Sequence, residues 1–409
     1  MTLAHRHGSV VVTVIGDDGS PLAHHDVRVE QIRHAFGFGN IGFDLIPHAN
    51  GEADERALAD AWLALFDTAT LPFYWGDFEP ERGRPDTARL LTAARWFAER
   101  GVRLKGHPLV WHTVKARWLD PLPSDEVERV IRDRITREVR DFAGVIDTWD
   151  AINEVAIMPV FENEPDGVPN AVSRLARERG RTAMVRLAFE TARAARPSAT
   201  LLINDFDLSE RYERVIEDAL AAGIAIDAIG LQTHMHQGFR GVEWLREKAD
   251  RFARFGLPLH FTEVSLVSGA LMPPEIDDLN DYVVDSWPST PEGEQRQADE
   301  LEALYRALTE HPAVQAITYW GLSDRGAWLG APIGLLRADG SPKPSYERLR
   351  SLIRGEWWTP ATTLRTDAAG RIRVAGWRGR YRVSAGAAIA EFDVDEPEGG
   401  RTIALAAPH

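Results

Sequence analysis

The sequence predicts an α/β fold, a (β/α)₈ barrel with a small accessory β-structure formed by its N- and C-terminal segments, and three observations predict it. Short apolar runs alternate with helix-period segments eight times between about residues 34 and 353. Carboxylates, amides, histidines and tryptophans gather where those runs end, the face on which such a barrel carries its chemistry. The 409 residues are 44% hydrophobic and 27% charged, enough to bury a sizeable core and unlike a disordered chain. A doubly wound open sheet also places a site at strand ends, but it needs neither eight units nor so many strand-end acids and tryptophans.

Taken in order, residues 8–31 read as alternating strands about a turn at Asp17-Asp18-Gly19-Ser20-Pro21. Barrel strands one to four are expected over 34–43, 69–75, 103–111 and 145–154, with helices over 52–66, 86–100 and 125–142 between them. A helix over 172–193 leads to strand five at 200–206, and one over 212–222 to strand six at 226–235. Strand seven is 258–265; a helix over 292–310 precedes strand eight at 314–322. Each strand is mostly apolar, as a strand covered on both faces must be, and the helices carry Ala, Leu, Glu and Arg at helical spacing. Residues 361–409 return to alternating strands around Asp367-Ala368-Ala369-Gly370 and Glu396-Pro397-Glu398-Gly399-Gly400. Neither flank is long enough for a core of its own, so the two are expected to meet in one β-sandwich, with Trp357, Trp358 and Trp377 packed nearby. The boundaries are drawn at 1–31, 32–355 and 356–409.

A formal net charge of −15 removes the basic footprint that phosphate backbones and anionic lipid surfaces need, so neither nucleic acid nor membrane is an expected partner. There is no cysteine, which excludes disulfides, thiolate nucleophiles and thiolate zinc sites together. The first eight residues lack an apolar leader core, and no later stretch reaches the ~18 apolar residues of a membrane span; the expected location is cytoplasmic.

Two carboxylates stand out, Glu154 and Glu263. Each closes an apolar run, where desolvation and neighbouring groups can push two pKa values apart as acid and base work requires. Glu154 follows Trp149-Asp150-Ala151-Ile152-Asn153, so an amide precedes the acid, and Glu263 stands in His260-Phe261-Thr262-Glu263-Val264. Hydrolysis of a glycosidic bond with retention needs one carboxylic acid at the leaving oxygen and one carboxylate at the anomeric carbon, roughly 5 to 5.5 Å apart. The ends of strands four and seven can supply that pair. His234 and His236 have the spacing of metal ligands, but no third ligand stands nearby; no metal or organic cofactor is expected.

At these residues the sequence resembles the family 10 glycoside hydrolases, the xylanase family, over about 320 residues. Five segments carry the resemblance in order: Gly106-His107-Pro108-Leu109-Val110-Trp111-His112, Trp149 to Glu154, Gly230-Leu231-Gln232-Thr233-His234, Thr262-Glu263, and Trp320-Gly321-Leu322-Ser323-Asp324 with Trp328. The resemblance implies Glu154 as general acid and then base, Glu263 as the nucleophile forming a glycosyl-enzyme, and Asn153 on the 2-hydroxyl of the reacting sugar. It implies that His234 orients Glu263, that Gln232 and His107 line the same subsite, and that Trp111, Trp320 and Trp328 are platforms for a sugar face. An oligosaccharide or small glycoside is the implied partner.

One segment departs from that family. Where its members carry an acid, an amide and a lysine that hold upstream sugars, this chain has Thr70, Leu71 and Tyr74, and Val114 replaces a glutamine. A sugar hydroxyl facing such side chains loses hydrogen bonds, at about 1 to 3 kcal/mol for each unsatisfied group. Tyr74 is therefore counted with the substrate-binding residues of an altered specificity: a different sugar, an exo-acting enzyme, or a small glycoside with an apolar aglycone. The insertion at 267–295 follows the nucleophile strand, as a lid, a wall or a surface loop. The rival readings are a non-catalytic carbohydrate-binding relative, which intact Glu154 and Glu263 oppose, and a metabolic isomerase or aldolase barrel. The latter would need a phosphate loop or a strand-end lysine, and the sequence offers neither.

Overall fold

The computed structural model describes residues 3–16, 19–162, 170–395 and 399–404. The chain forms two compact units, Gly39–Tyr346 and the pair of segments Met1–Phe38 and Glu347–His409. Strands β1 (His7–Ile15) and β2 (Asp26–His34) come first. They are followed by β3 (Gly37–Ile41), β4 (Thr68–Pro72), β5 (Arg103–His107), β6 (Thr148–Asn153), β7 (Thr200–Asp205), β8 (Ala228–Met235), β9 (Leu259–Leu266) and β10 (Val314–Tyr319). β3 to β10 close into a barrel in chain order, with β10 beside β3. The registers run parallel, as in Thr68↔Arg103, Thr148↔Thr200 and Ile229↔Leu259.

All eight expected strands are present, and two stop short for a visible reason. β4 ends at Pro72, which has no N–H to give a ladder, and β5 ends at His107, immediately before Pro108. The expected helix over 172–193 is two helices, Ala171–Arg179 and Arg181–Ala195, because Gly180 takes φ +85° between them, a conformation that glycine adopts at least cost. Within the barrel, Gly106 lies flat against Trp149: a Cβ there would stand 2.2 Å from the indole ring. Among the described residues no helix is long and apolar enough to cross a membrane.

In the accessory unit the chain's two ends do meet. β11 (Thr362–Arg365), β12 (Arg371–Trp377), β13 (Gly379–Ala385), β14 (Ala388–Val394) and β15 (Gly399–Ala404) join β1 and β2 in two sheets, ordered β12-β1-β15 and β11-β2-β13-β14. Residues 8–31 are thus not a hairpin, since β1 and β2 lie in different sheets. The burial pattern gives the reason: Val10, Val12 and Val14 of β1 and Val27 and Val29 of β2 face one shared core with Val374, Tyr381 and Phe392, so pairing them edge to edge would leave that core open. Of the expected turn residues, Asp17, Asp18, Glu396, Pro397 and Glu398 lie outside the described residues, and Gly399 and Gly400 open β15. Trp357 and Trp377 are buried and 6.4 Å apart, and His34 stands edge-on to Trp358 and Trp377.

Candidate active site

Glu154 and Glu263 stand at one mouth of the barrel, beyond β6 and within β9, and a chain of amides links them. The Asn204 Nδ2 donates to Asn153 Oδ1 and to Glu263 Oε1, both at 2.8 Å. Asn153 Nδ2 in turn approaches Glu154 Oε1 at 3.3 Å. Asn204 is itself fixed by Thr262 Oγ1, which donates to its Oδ1 at 2.5 Å. Gly230 makes room for it: a Cβ there would lie 2.3 Å from that oxygen. Gln232 Nε2 donates to Asn153 Oδ1 at 3.0 Å and reaches Glu154 Oε1 at 3.4 Å. Gln232 thus sits toward Glu154, while His107 sits toward Glu263.

The two acids are held in opposite electrostatic states. Burial pushes Glu154 up to about 8; the Trp111 N–H opposes this from 2.7 Å, and the charges of Glu263 and Asp205 add to it. Burial acts on Glu263 in the same direction, but His107 and His234 outweigh it and hold that carboxyl below the ordinary glutamate range. His234 lies 3.2 Å from Glu263 Oε2 through Nε2, and its Nδ1 is tied to Ser265 Oγ at 2.9 Å. His107 Nε2 stands 3.8 Å from Glu263 Oε1, while its Nδ1 meets Asp150 Oδ2 at 2.7 Å. That oxygen also takes Lys105 Nζ at 2.6 Å. The Lys105–Asp150–His107 chain is buried throughout, so His107 reaches the site from a fixed charged base.

Glu154 also occupies an uncommon backbone conformation, φ +55°, which costs a non-glycine residue about 1 kcal/mol or more. Hydrogen bonds on both sides keep it there: Glu154 N donates to Asn204 O at 2.8 Å, and Asn153 N to Val110 O at 2.9 Å. Two residues on, Ala156 N donates to the buried Asp205 carboxylate at 2.9 Å. Burial lifts that acid to about 7, against its backbone hydrogen bonds.

The remaining sequence-derived residues reach the same mouth. Tyr74 contacts Trp111 at 5.5 Å and His107 at 5.8 Å between ring centroids; Trp320 packs on His107 at 5.3 Å; Trp328 lies 5.0 Å from His234. The 267–295 insertion approaches through Trp287, which packs with Val267, Met272, Ala331 and Ile333 and stands 6.1 Å from His236. His236 is buried among these rings, and burial lowers it to about 3, so it is a neutral imidazole. Among the described residues no three His, Cys, Asp or Glu side chains gather as metal ligands.

The sequence model of glycosyl hydrolase family 10 matches residues 66–352, most of the barrel and both acids. The chain belongs to this family. Among curated family members, endo-1,4-beta-xylanase A of Caldicellulosiruptor sp. (strain Rt8B.4) is 28% identical over 266 residues, 60% of this chain and 36% of that protein. Endo-1,4-beta-xylanase B of Thermotoga neapolitana is 25% identical over 298 residues, 68% of this chain and 78% of that one. The chain spans well under half the length of several curated relatives it matches, 36%, 39% and 28% for three of them. Of solved structures, the family 10 protein from Paenibacillus barcinonensis superposes with a TM-score of 0.64 at 23% identity, covering 78% of this chain and 96% of that one. Xylanase 10B from Thermotoga petrophila RKU-1 in complex with xylobiose gives 0.64 at 20%, over 79% and 95%. At these identities the likeness is one of fold, and the fold is the glycoside hydrolase barrel of family 10.

Two residues of the site, Asn204 and Phe43, escape a reading of the sequence. Asn204 stands beside Asp205 at the end of the apolar run Leu201-Leu202-Ile203, and that polar pair at a strand end is the signal that could have found it. Phe43, by contrast, looks like one more apolar residue after strand one.

Proposed function

We propose that this chain hydrolyses O-glycosidic bonds of a xylo-oligosaccharide or related β-glycoside by double displacement, with Glu154 as acid and base and Glu263 as nucleophile. The observation that carries this reading is the opposed state of the two acids: Glu154 is kept protonated to about 8, and Glu263 is kept ionised. In the first step a Glu263 oxygen attacks the anomeric carbon, the bond to the leaving oxygen breaks, and Glu154 transfers its proton to that oxygen. In the second, the ionised Glu154 takes a proton from water as that water attacks the same carbon and frees Glu263. Two inversions return the β configuration. Asn204 and His234 keep the Glu263 carboxylate aligned before the substrate arrives, so little reorganisation accompanies the attack. Asn153, held by Asn204 and Gln232, is positioned to strengthen its contact with the sugar 2-hydroxyl as charge develops.

The test is a panel of aryl β-glycosides (xyloside, xylobioside, arabinoside, glucoside, fucoside) given to the wild type and to Glu263→Ala, with product configuration followed by NMR. Release of a β-configured sugar that the variant abolishes and added azide restores as an α-glycosyl azide is the expected result. A first-formed α product, or release unaffected by the substitution, overturns the reading, and a panel left wholly intact favours a carbohydrate-binding role.

A further inference from the structure

Four rings from four neighbouring strands close one side of the mouth. Phe43, just after β3, meets Tyr74 edge-on at 5.8 Å and Trp320 edge-on at 5.8 Å. His107 meets the same two rings edge-on, Tyr74 at 5.8 Å and Trp320 at 5.3 Å. All four separations are direct ring contact, so Phe43, Tyr74, His107 and Trp320 form an unbroken cycle of rings.

The cycle stands on the side of Glu263, toward which His107 points. In double displacement the sugar that becomes covalently held lies over the nucleophile, and the leaving group lies over the acid. The wall therefore faces the sugar to be released, not the leaving group. It also offers little to a second sugar. Thr70 and Leu71 are fully buried and so cannot reach a sugar, and Val114 presents an exposed apolar side chain. A pyranose placed there would leave its hydroxyls unsatisfied, at about 1 to 3 kcal/mol each. The exception is the Tyr74 hydroxyl, which takes up no protein partner among the described residues. It lies within the fields of Glu263 and Glu154, which together with burial push the phenol well above its ordinary range, so it stays a neutral donor.

Resting on the double-displacement reading above, we infer that the site accepts a single sugar on the glycone side and is exo-acting. It releases one monosaccharide at a time from a non-reducing end, with Tyr74 and Phe43 as the residues that set this length. Tyr74 donates its O–H to the terminal sugar, and Phe43 braces Tyr74 against Trp320.

The experiment compares aryl β-monoglycosides with aryl β-xylobioside, and follows products from β-1,4-linked xylohexaose labelled at its reducing end. The wild type, Tyr74→Ala and the Phe43→Ala/Tyr74→Ala double variant are assayed side by side. The expected result is at least tenfold higher kcat/KM on a monoglycoside than on the bioside, and labelled oligomers that shorten by one sugar at a time. The double variant should narrow that ratio or invert it, through a lower KM for the bioside together with a lower kcat/KM for the monoglycoside, whose Tyr74 contact is lost. Labelled fragments of several lengths from the outset, or preference for the bioside by the wild type, overturn the inference and leave the two-acid mechanism standing. No cleavage of any substrate overturns both.

Discussion

The two halves of the barrel mouth are built on different principles. Strands β6 to β9 contribute Asn153, Glu154, Asn204, Gln232, His234 and Glu263, whose polar atoms are tied to one another at 2.8 to 3.4 Å. Strands β10, β3, β4 and β5 contribute Trp320, Phe43, Tyr74, His107 and Trp111, joined mainly by ring contacts. The first half fixes charge and proton position before any ligand arrives, which is how preorganised electrostatics acts on a barrier. The second half mainly fixes shape, with His107 also acting on Glu263. Charge and shape can therefore change separately, and a chain can keep both acids while its opposite side is rebuilt.

The largest effect should come from breaking the polar half alone. On the proposed mechanism Glu154→Gln removes the proton source, and general acid catalysis is worth about 10²- to 10⁴-fold; kcat should fall by that much on a glycoside with a poor leaving group. On a dinitrophenyl glycoside, whose leaving group needs no proton, the glycosylation step should be nearly unaffected under pre-steady-state conditions. An equal loss on both would remove Glu154 from the acid's role.

A second substitution asks whether the base under His107 belongs to the chemistry or to the scaffold. Asp150→Asn leaves Lys105 buried without its counter-charge, and breaking a buried pair from one side costs about 3 to 5 kcal/mol. Chemical denaturation should show that loss, while Lys105→Met/Asp150→Asn, which removes both charges, should recover a large part of it.

The smallest effect tests a bond that crosses between the halves, from Trp111 to Glu154. On the proposed mechanism activity needs Glu154 protonated and Glu263 ionised, so kcat/KM should fall as pH rises past about 8 and fall again below the depressed pKa of Glu263. The Trp111 N–H favours ionised Glu154, so Trp111→Phe should move the alkaline limb to higher pH. A limb that stays in place would mean that Trp111 acts on the substrate alone.

How much of this was legible in the sequence follows the same division. Glu154 and Glu263 were visible because a carboxylate ending a buried apolar run is costly and so conspicuous. Trp111 and Trp320 stood out as large rings at strand ends. The strands themselves are legible as apolar runs, but Pro72 and Pro108 end β4 and β5 before those runs do. What could not be read was pairing across the barrel. Asn204 bridges two side chains 51 and 59 positions away, and Phe43 closes a ring with residues 31 and 277 positions further on; no local pattern records such distances. The exchange of β1 and β2 between two sheets was hidden for the same reason, since alternation shows which face is buried and not which strand lies alongside.

That last arrangement also governs the order of events at the ribosome. β1 takes its neighbouring strands from β12 and β15, with Thr13 opposite Arg371, so roughly 350 residues must be made before its first partner strand exists. At about 5 to 20 residues per second, the Val10, Val12 and Val14 stripe waits tens of seconds as an unpaired apolar edge, the kind of segment that invites wrong partners. A strand made before the whole barrel is thus among the last to find its place.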